Sequence, residues 1–182
     1  IRDGRMSPGL GDVYKRQIKH FIASNNENNV VTRYLKSADY KPKPSVQTIS
    51  NAMDVGNPSN FIRIQAIYNN DFESLKLNLF SYSFSDKQTK EALKEIYKTT
   101  GYIADPHGAV GYLGSKSYLK SNPEAHCVFL ETAHPTKFLD IVKEVVAVDI
   151  PLPKQIKAVI DKVKVATQIN DYLDFKAFLT GL

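Results

Sequence analysis

Three stretches of this chain place polar and titratable side chains where the backbone changes direction, and α/β proteins keep their chemistry at such places. In residues 127–138 the apolar Val128, Phe129 and Leu130 are followed by Glu131, Thr132 and His134, and then by Pro135. Ligands in open α/β sheets bind outside the carboxyl ends of strands, so Thr132 and His134 are candidates for a binding or acid–base role. The alternative is that one of them only caps the helix that follows. In residues 105–111, Asp105 and Pro106 open a helix beside His107, the side chain best poised for proton transfer near neutral pH, unless it is simply a first-turn residue. In residues 57–63, Ser59 and Asn60 stand beside a helix start near Pro58. Free amides there, with Arg63 one turn on, would grip a phosphate or carboxylate. Asn57 as N-cap with Pro58 at the first helical position is the purely structural alternative.

The elements that must hold these residues are legible from hydrophobic spacing. Val128–Phe129–Leu130 predicts a short strand buried on both faces, containing the only cysteine, Cys127, as a small apolar residue. From Thr136 onward Phe138, Leu139, Val142, Val145 and Val146 recur at helical spacing. Earlier, Phe21, Ile22 and Ala23 predict the end of a buried strand. Asn28 or Asn29 then caps a short helix through Lys36 with Val30, Val31, Tyr34 and Leu35 inward. Residues 75–84 alternate loosely, with a strand expected over 79–82. Ser85 and Gln88 form a capping box for a helix through Thr99 that ends at Gly101, its inner face Leu93, Ile96 and Tyr97. Beyond a short strand or turn over 145–150, Pro151 and Pro153 precede a helix over 154–164. A last amphipathic helix over 171–182 has Tyr172, Phe175 and Phe178 inward. The overall expectation is α/β with parallel pairing. A strand that leads straight into a helix needs a parallel neighbour, so the chain reads as the later part of something larger.

Composition excludes several classes. The chain has 182 residues with ample apolar content for a core, one cysteine and therefore no disulfide framework, and no apolar run long enough to span a bilayer. A soluble, cytoplasmic protein is expected, with no membrane and no metal site. Residues 1–17 lack periodicity and hold three of the nine glycines, and 12–17 resemble a translated sequencing adaptor. They are expected to be an adaptor- or vector-derived, disordered artefact, with the domain proper over 18–182. Arg2, Arg5, Lys15 and Arg16 against Asp3 and Asp12 contribute +2 of the net +5, and the remaining scattered charge gives no basic stripe for nucleic acid. No Gly-rich phosphate loop, His-Glu-x-x-His or Gly-x-Ser-x-Gly is present.

Taken together, the sequences of residues 50–61 (SNAMDVGNPSNF), 105–111 (DPHGAVG) and 132–138 (TAHPTKF), in that order, resemble the carboxyl-terminal half of the threonine synthase family. The resemblance covers 18–182. It implies a partial fold-type II pyridoxal phosphate enzyme of the tryptophan synthase beta-like class, the carboxyl-terminal portion of a parallel-sheet domain with flanking helices. It also implies a carbon–oxygen lyase reaction that converts O-phospho-L-homoserine and water to L-threonine and phosphate. The Schiff-base lysine and the loop that holds the cofactor phosphate then lie upstream, in a missing amino-terminal half of the same chain. No catalytic residue is expected in this stretch, and the chain alone is expected to be inactive. Thr132 matches the hydroxyl residue that faces the pyridine nitrogen, and Ser59, Asn60, Arg63 and His107 fall on the substrate side. Gly108 departs from the relatives, which often carry threonine there. Another fold-type II lyase, or a non-catalytic binding module derived from that fold, are the alternatives. Residues 50–60 argue against the first, and the missing sheet neighbours against the second.

Overall fold

A computed structural model of the chain describes residues 18–181, so the reading of 1–17 as adaptor-derived lies outside the described residues. Strand β1 (Phe21–Asn25) pairs in parallel with β2 (Leu79–Ser83), Phe21 opposite Leu79 and Asn25 opposite Ser83. Parallel neighbours need a long crossover. Here it carries α1 (Val30–Ser37), a 3-10 turn (Asn51–Met53), α2 (Phe61–Ile67) and α3 (Phe72–Asn78). After β2 come α4 (Asp86–Thr100) and α5 (Pro106–Leu119), and then a 3-10 turn (Pro135–Phe138) that runs into α6 (Leu139–Val146). The fold class is α/β, as the spacing predicts.

Two apolar clusters hold this body together. Val30, Val31, Tyr34 and Leu35, the inner face expected of α1, pack with Phe61, Leu75 and Leu79. Aromatic rings fix their angles: Tyr34 meets Phe61 edge-on at 5.4 Å, and Tyr40 stacks on Phe61 at the same distance. The second cluster joins Ala92, Leu93 and Ile96 of α4 to Ala104, Ala109 of α5 and Val145 of α6. The Ser85–Gln88 capping box is formed, and α4 stops at Gly101, left-handed at φ 72°. Helix α5 crosses β1 closely because position 114 is glycine; a β-carbon there would fall on the Ser24 hydroxyl.

Several expectations are corrected. No strand forms over Val128–Leu130; Val128 is 88% and Leu130 79% exposed. A strand gains its hydrogen bonds only from a neighbour, and among the described residues β1 and β2 pair with each other alone. Helix α2 begins at Phe61, not near Pro58, because a turn at 59–60 comes first, with Phe61 N–H donating to the Pro58 carbonyl. The strand expected over 79–82 forms as β2, and the residues before it, Phe72–Asn78, form α3. Asn69 and Asn70 turn in left-handed conformations, and the Asp71 carboxylate then accepts the amides of Glu73 and Ser74 as an N-cap. Of the strand or turn expected over 145–150 it is the turn that forms, with α6 ending at Val146 and Ala147 left-handed at φ 57°.

Residues 151–182 make up a second unit. The expected helix over 154–164 is only α7 (Lys154–Lys157), and α8 (Tyr172–Thr180) is capped by Asp171. Tyr172, Phe175 and Phe178 are exposed instead of inward. Periodicity specifies an apolar face but not a surface to cover it. No helix among the described residues is long and apolar enough to cross a membrane.

Candidate functional site

The site is built at the carboxyl end of β1, where the chain leaves the sheet as Asn25-Asn26-Glu27-Asn28-Asn29. The side-chain amides of Asn26 and Asn28, each with two N–H donors and an oxygen acceptor, find their partners in the crossover. Asn26 Nδ2 donates to Thr48 Oγ1 and to Asp54 Oδ1, both at 2.8 Å. Asn28 Nδ2 donates to Asp54 Oδ1 at 3.0 Å and to the Val46 carbonyl at 2.9 Å. Asp54 Oδ2 accepts the Thr48 amide at 2.9 Å. Asn26, Asn28, Thr48 and Ser50 are all buried, so this knot satisfies groups that would be costly if unpaired and pins residues 46–54 over the end of the sheet. Sequence reasoning missed it. The density of Asn, Thr, Ser and Asp in an aperiodic stretch was the available sign, since such side chains bond to nearby backbone instead of packing.

The pinned segment reaches a second group on α5. Asp105 caps that helix: its Oδ1 accepts the His107 amide at 2.8 Å and the His107 ring Nδ1 at 2.6 Å, and the side chain is fully buried. The other ring nitrogen, Nε2, accepts the amide of Ala52 at 3.1 Å. A ring that donates from Nδ1 and accepts at Nε2 is the neutral Nδ1–H tautomer. Phe138 packs on the same ring with centroids 4.8 Å apart, and Glu131 Oε1 accepts the Asp105 amide at 2.9 Å. Residues from 50–61, 105–111 and 131–138 therefore meet around one imidazole.

Electrostatics separate the two acids of this group. Burial, opposed by the bond from the Asp105 amide, pushes the Glu131 carboxyl up to about 7. Burial also acts to raise Asp105, but hydrogen bonds from His107 and Glu131 outweigh it and hold that carboxyl below its ordinary value. The two neighbouring carboxyls are thus pushed in opposite directions, Glu131 toward its protonated and Asp105 toward its ionised form.

The sequence-predicted residues are distributed unevenly. His107 lies at the meeting point with both ring nitrogens engaged. Ser59, Asn60 and Arg63 are exposed along the start of α2. Asn60 lines a cleft of about 330 Å³ with Asn25, Asn28, Met53 and Phe61. The amide of Arg63 is spent on the Asn60 carbonyl, so the expected row of free helix-start amides is partly used within the turn. Thr132 is exposed, does not line that cleft, and makes no hydrogen bond among the described residues. His134 caps the 3-10 turn, its Nδ1 accepting the Thr136 amide at 3.2 Å, which is the structural alternative for that residue. A second cleft, of about 460 Å³, runs between Thr48, Asn51 and Asp86 on one side and Lys137–Ile141 on the other.

Comparison with known proteins adds a consistent result. The family profile described as "Threonine synthase, C-terminal" matches residues 108–178. A threonine synthase of Haemophilus influenzae is 37% identical over 168 residues, covering 89% of this chain and 37% of the relative. The crystal structure of threonine synthase from Escherichia coli superposes with a TM-score of 0.79 at 32% identity, over 90% of this chain and 37% of that one. A structure titled as pyridoxal phosphate-bound threonine synthase from Brucella melitensis shares the fold, with a TM-score of 0.72 at 24% identity over 93% and 42% of the two chains. This chain spans little more than a third of the length of the curated relative from Haemophilus influenzae.

Proposed function

Because the chain is homologous to the carboxyl-terminal region of threonine synthases, we propose that it forms that region of a pyridoxal phosphate-dependent lyase that converts O-phospho-L-homoserine and water to L-threonine and phosphate. The observation that carries this reading is the meeting of the three family-like segments at His107. Ala52, Asp105, Glu131 and Phe138 are far apart in sequence yet touch one side chain or its partner. Separate motifs that build one site are more informative than any motif alone.

The residues present fit the cofactor at one point. Thr132 has an exposed hydroxyl with no partner among the described residues, as a group meant to meet a heteroaromatic nitrogen requires. Pyridoxal phosphate, when bound, withdraws electrons from the substrate carbon that loses its proton. Thr132 would hold the ring nitrogen by a neutral hydrogen bond, and a hydroxyl, unlike a carboxylate, would not keep that nitrogen protonated. Ser59, Asn60 and Arg63 supply a hydroxyl, an amide and a guanidinium within one turn, suited to a phosphate or carboxylate group of the substrate. His107 serves the substrate side by fixing the backbone at Ala52. None of the described lysines is buried. A lysine that acts as acid and base needs desolvation or a cationic neighbour to lower its pKa, so it is supplied from outside this stretch, by an amino-terminal part of the protein.

The test combines a spectroscopic readout with turnover. The chain joined to a threonine synthase amino-terminal portion should bind pyridoxal phosphate saturably and release phosphate from O-phospho-L-homoserine. In that protein Thr132→Ala should shift the cofactor absorbance band. An unshifted band in the variant would refute the role of Thr132, and absent turnover in the joined protein would refute the substrate.

A further inference from the structure

Positions 108 and 131 are complementary in shape. Gly108 is buried in the first turn of α5, and a β-carbon built there would fall on the carboxyl group of Glu131. Glutamate 131 thus occupies the space that any other residue at 108 would take. Its carboxyl reaches the start of α5, where Oε1 accepts the Asp105 amide at 2.9 Å. The remaining oxygens of the two acids, Asp105 Oδ2 and Glu131 Oε2, are both buried without a hydrogen-bond partner among the described residues. Two carboxylates cannot bond to one another, because neither has a hydrogen to give. Two buried oxygens left facing in this way are costly, and one proton between them satisfies both.

We propose that Glu131 is a positioning residue that stays protonated and donates to Asp105, clasping residues 131–132 onto the first turn of α5, and that Gly108 exists in this chain to make room for it. The clasp sets the direction in which Thr132, the next residue, leaves the node. It also leaves Asp105 as the charged partner of His107, so a single proton on Glu131 orders Asp105, His107 and, through the ring, the turn at Ala52. The groups that face the Glu131 carboxyl are Asp105, His107 and Tyr102. Asp105 is the dominant anion among them, and it disfavours the ionised form of Glu131.

The linkage follows from the raised value of Glu131. The folded state holds the proton up to about 7, while the unfolded chain releases it near 4.5. Stability from this group is fully present below about 4.5 and is lost as pH rises through about 7. Glu131→Gln mimics the protonated acid, with an amide to donate to Asp105 Oδ2 and an oxygen to accept the Asp105 amide. In the full chain, wild type should therefore lose thermal stability between pH 5 and pH 8, whereas Glu131→Gln should match wild type at pH 5 and surpass it at pH 8. The infrared band of a buried protonated carboxylic acid should be present in wild type at pH 5 and missing from Glu131→Gln. A parallel pH dependence of the two proteins, or a band that survives the substitution, overturns the proposal.

A second pair keeps the test decisive without any pH change. Gly→Ala inside a helix ordinarily stabilises. Gly108→Ala should instead lower the melting midpoint of wild type, because the methyl group evicts Glu131, and should raise it in a Glu131→Ala background, where the space is empty. Stabilisation by Gly108→Ala in both backgrounds shows that Glu131 does not fill the space and overturns the assignment. None of these readouts depends on turnover, so they separate this proposal from the functional one.

Discussion

At the scale of the residue, His107 illustrates how a side chain that sequence marks for chemistry can be committed to architecture. Its Nδ1 proton is held by a buried aspartate and its Nε2 lone pair by a backbone amide. Removal of the ring should leave the buried Asp105 carboxylate with one bond fewer, at a cost of about 1–3 kcal/mol, while the exposed Ala52 amide turns to water. His107→Phe keeps the ring against Phe138 and should lose nearly as much as His107→Ala in urea unfolding, which distinguishes lost hydrogen bonds from lost packing. A loss under about 0.5 kcal/mol for both would place the residue among ordinary surface changes. Arg63 is the opposite case: exposed, and without an ion pair among the described residues. Arg63→Ala should leave stability unchanged and, in the protein joined to its amino-terminal portion, raise KM for the phosphorylated substrate more than it alters the cofactor spectrum. An unaltered KM would remove it from the substrate side.

Among the elements, α4 and α2 show what local sequence can and cannot specify. Helix α4 has both reciprocal bonds of the capping box at one end, Ser85 N–H to Gln88 Oε1 at 2.9 Å and Gln88 N–H to Ser85 Oγ at 3.4 Å, and a left-handed glycine at the other. Its boundaries were readable because each terminus satisfies its own backbone groups locally. Ser85→Ala should cost about 1 kcal/mol, and Ser85→Asp much less, as judged by denaturant midpoints. Equal losses for the two would mean that the cap is not what holds this end. Helix α2 starts three residues later than the Asn57–Pro58 pair suggests, because Phe61 is anchored in the first core cluster and the turn before it follows that anchor. The strand expected at 128–130 fails for the same kind of reason. An apolar triplet has strand character only when another strand supplies its hydrogen bonds.

For the molecule as a whole, the proposed chemistry is shared between this chain and an amino-terminal portion of the protein. Purified chain mixed with pyridoxal phosphate and O-phospho-L-homoserine should release no phosphate and show no saturable change in cofactor absorbance. Exposed lysines offer amines without the desolvation that activates one. Micromolar saturable binding together with phosphate release would mean that a lysine within these residues does the work and that the division is wrong. The apolar Val128 and Leu130 face solvent in the described structure, in the same segment that carries Thr132.

Legible along the chain is the part governed by near neighbours: the inner face of α1, the caps of α4 and α5 and the α/β class, together with a resemblance to threonine synthases that the comparisons bear out over most of the chain. Caps, glycine termini and hydrophobic periods act over a few residues, so they survive translation into one dimension. Tertiary structure alone decided that Asn26, Asn28, Thr48 and Asp54 form one buried knot, that Ala52, Asp105, Glu131 and Phe138 gather at His107, and that Glu131 lies over Gly108. Those facts depend on which distant groups share a small buried volume. There a missing partner costs more than any local preference, and no spacing along the chain records it.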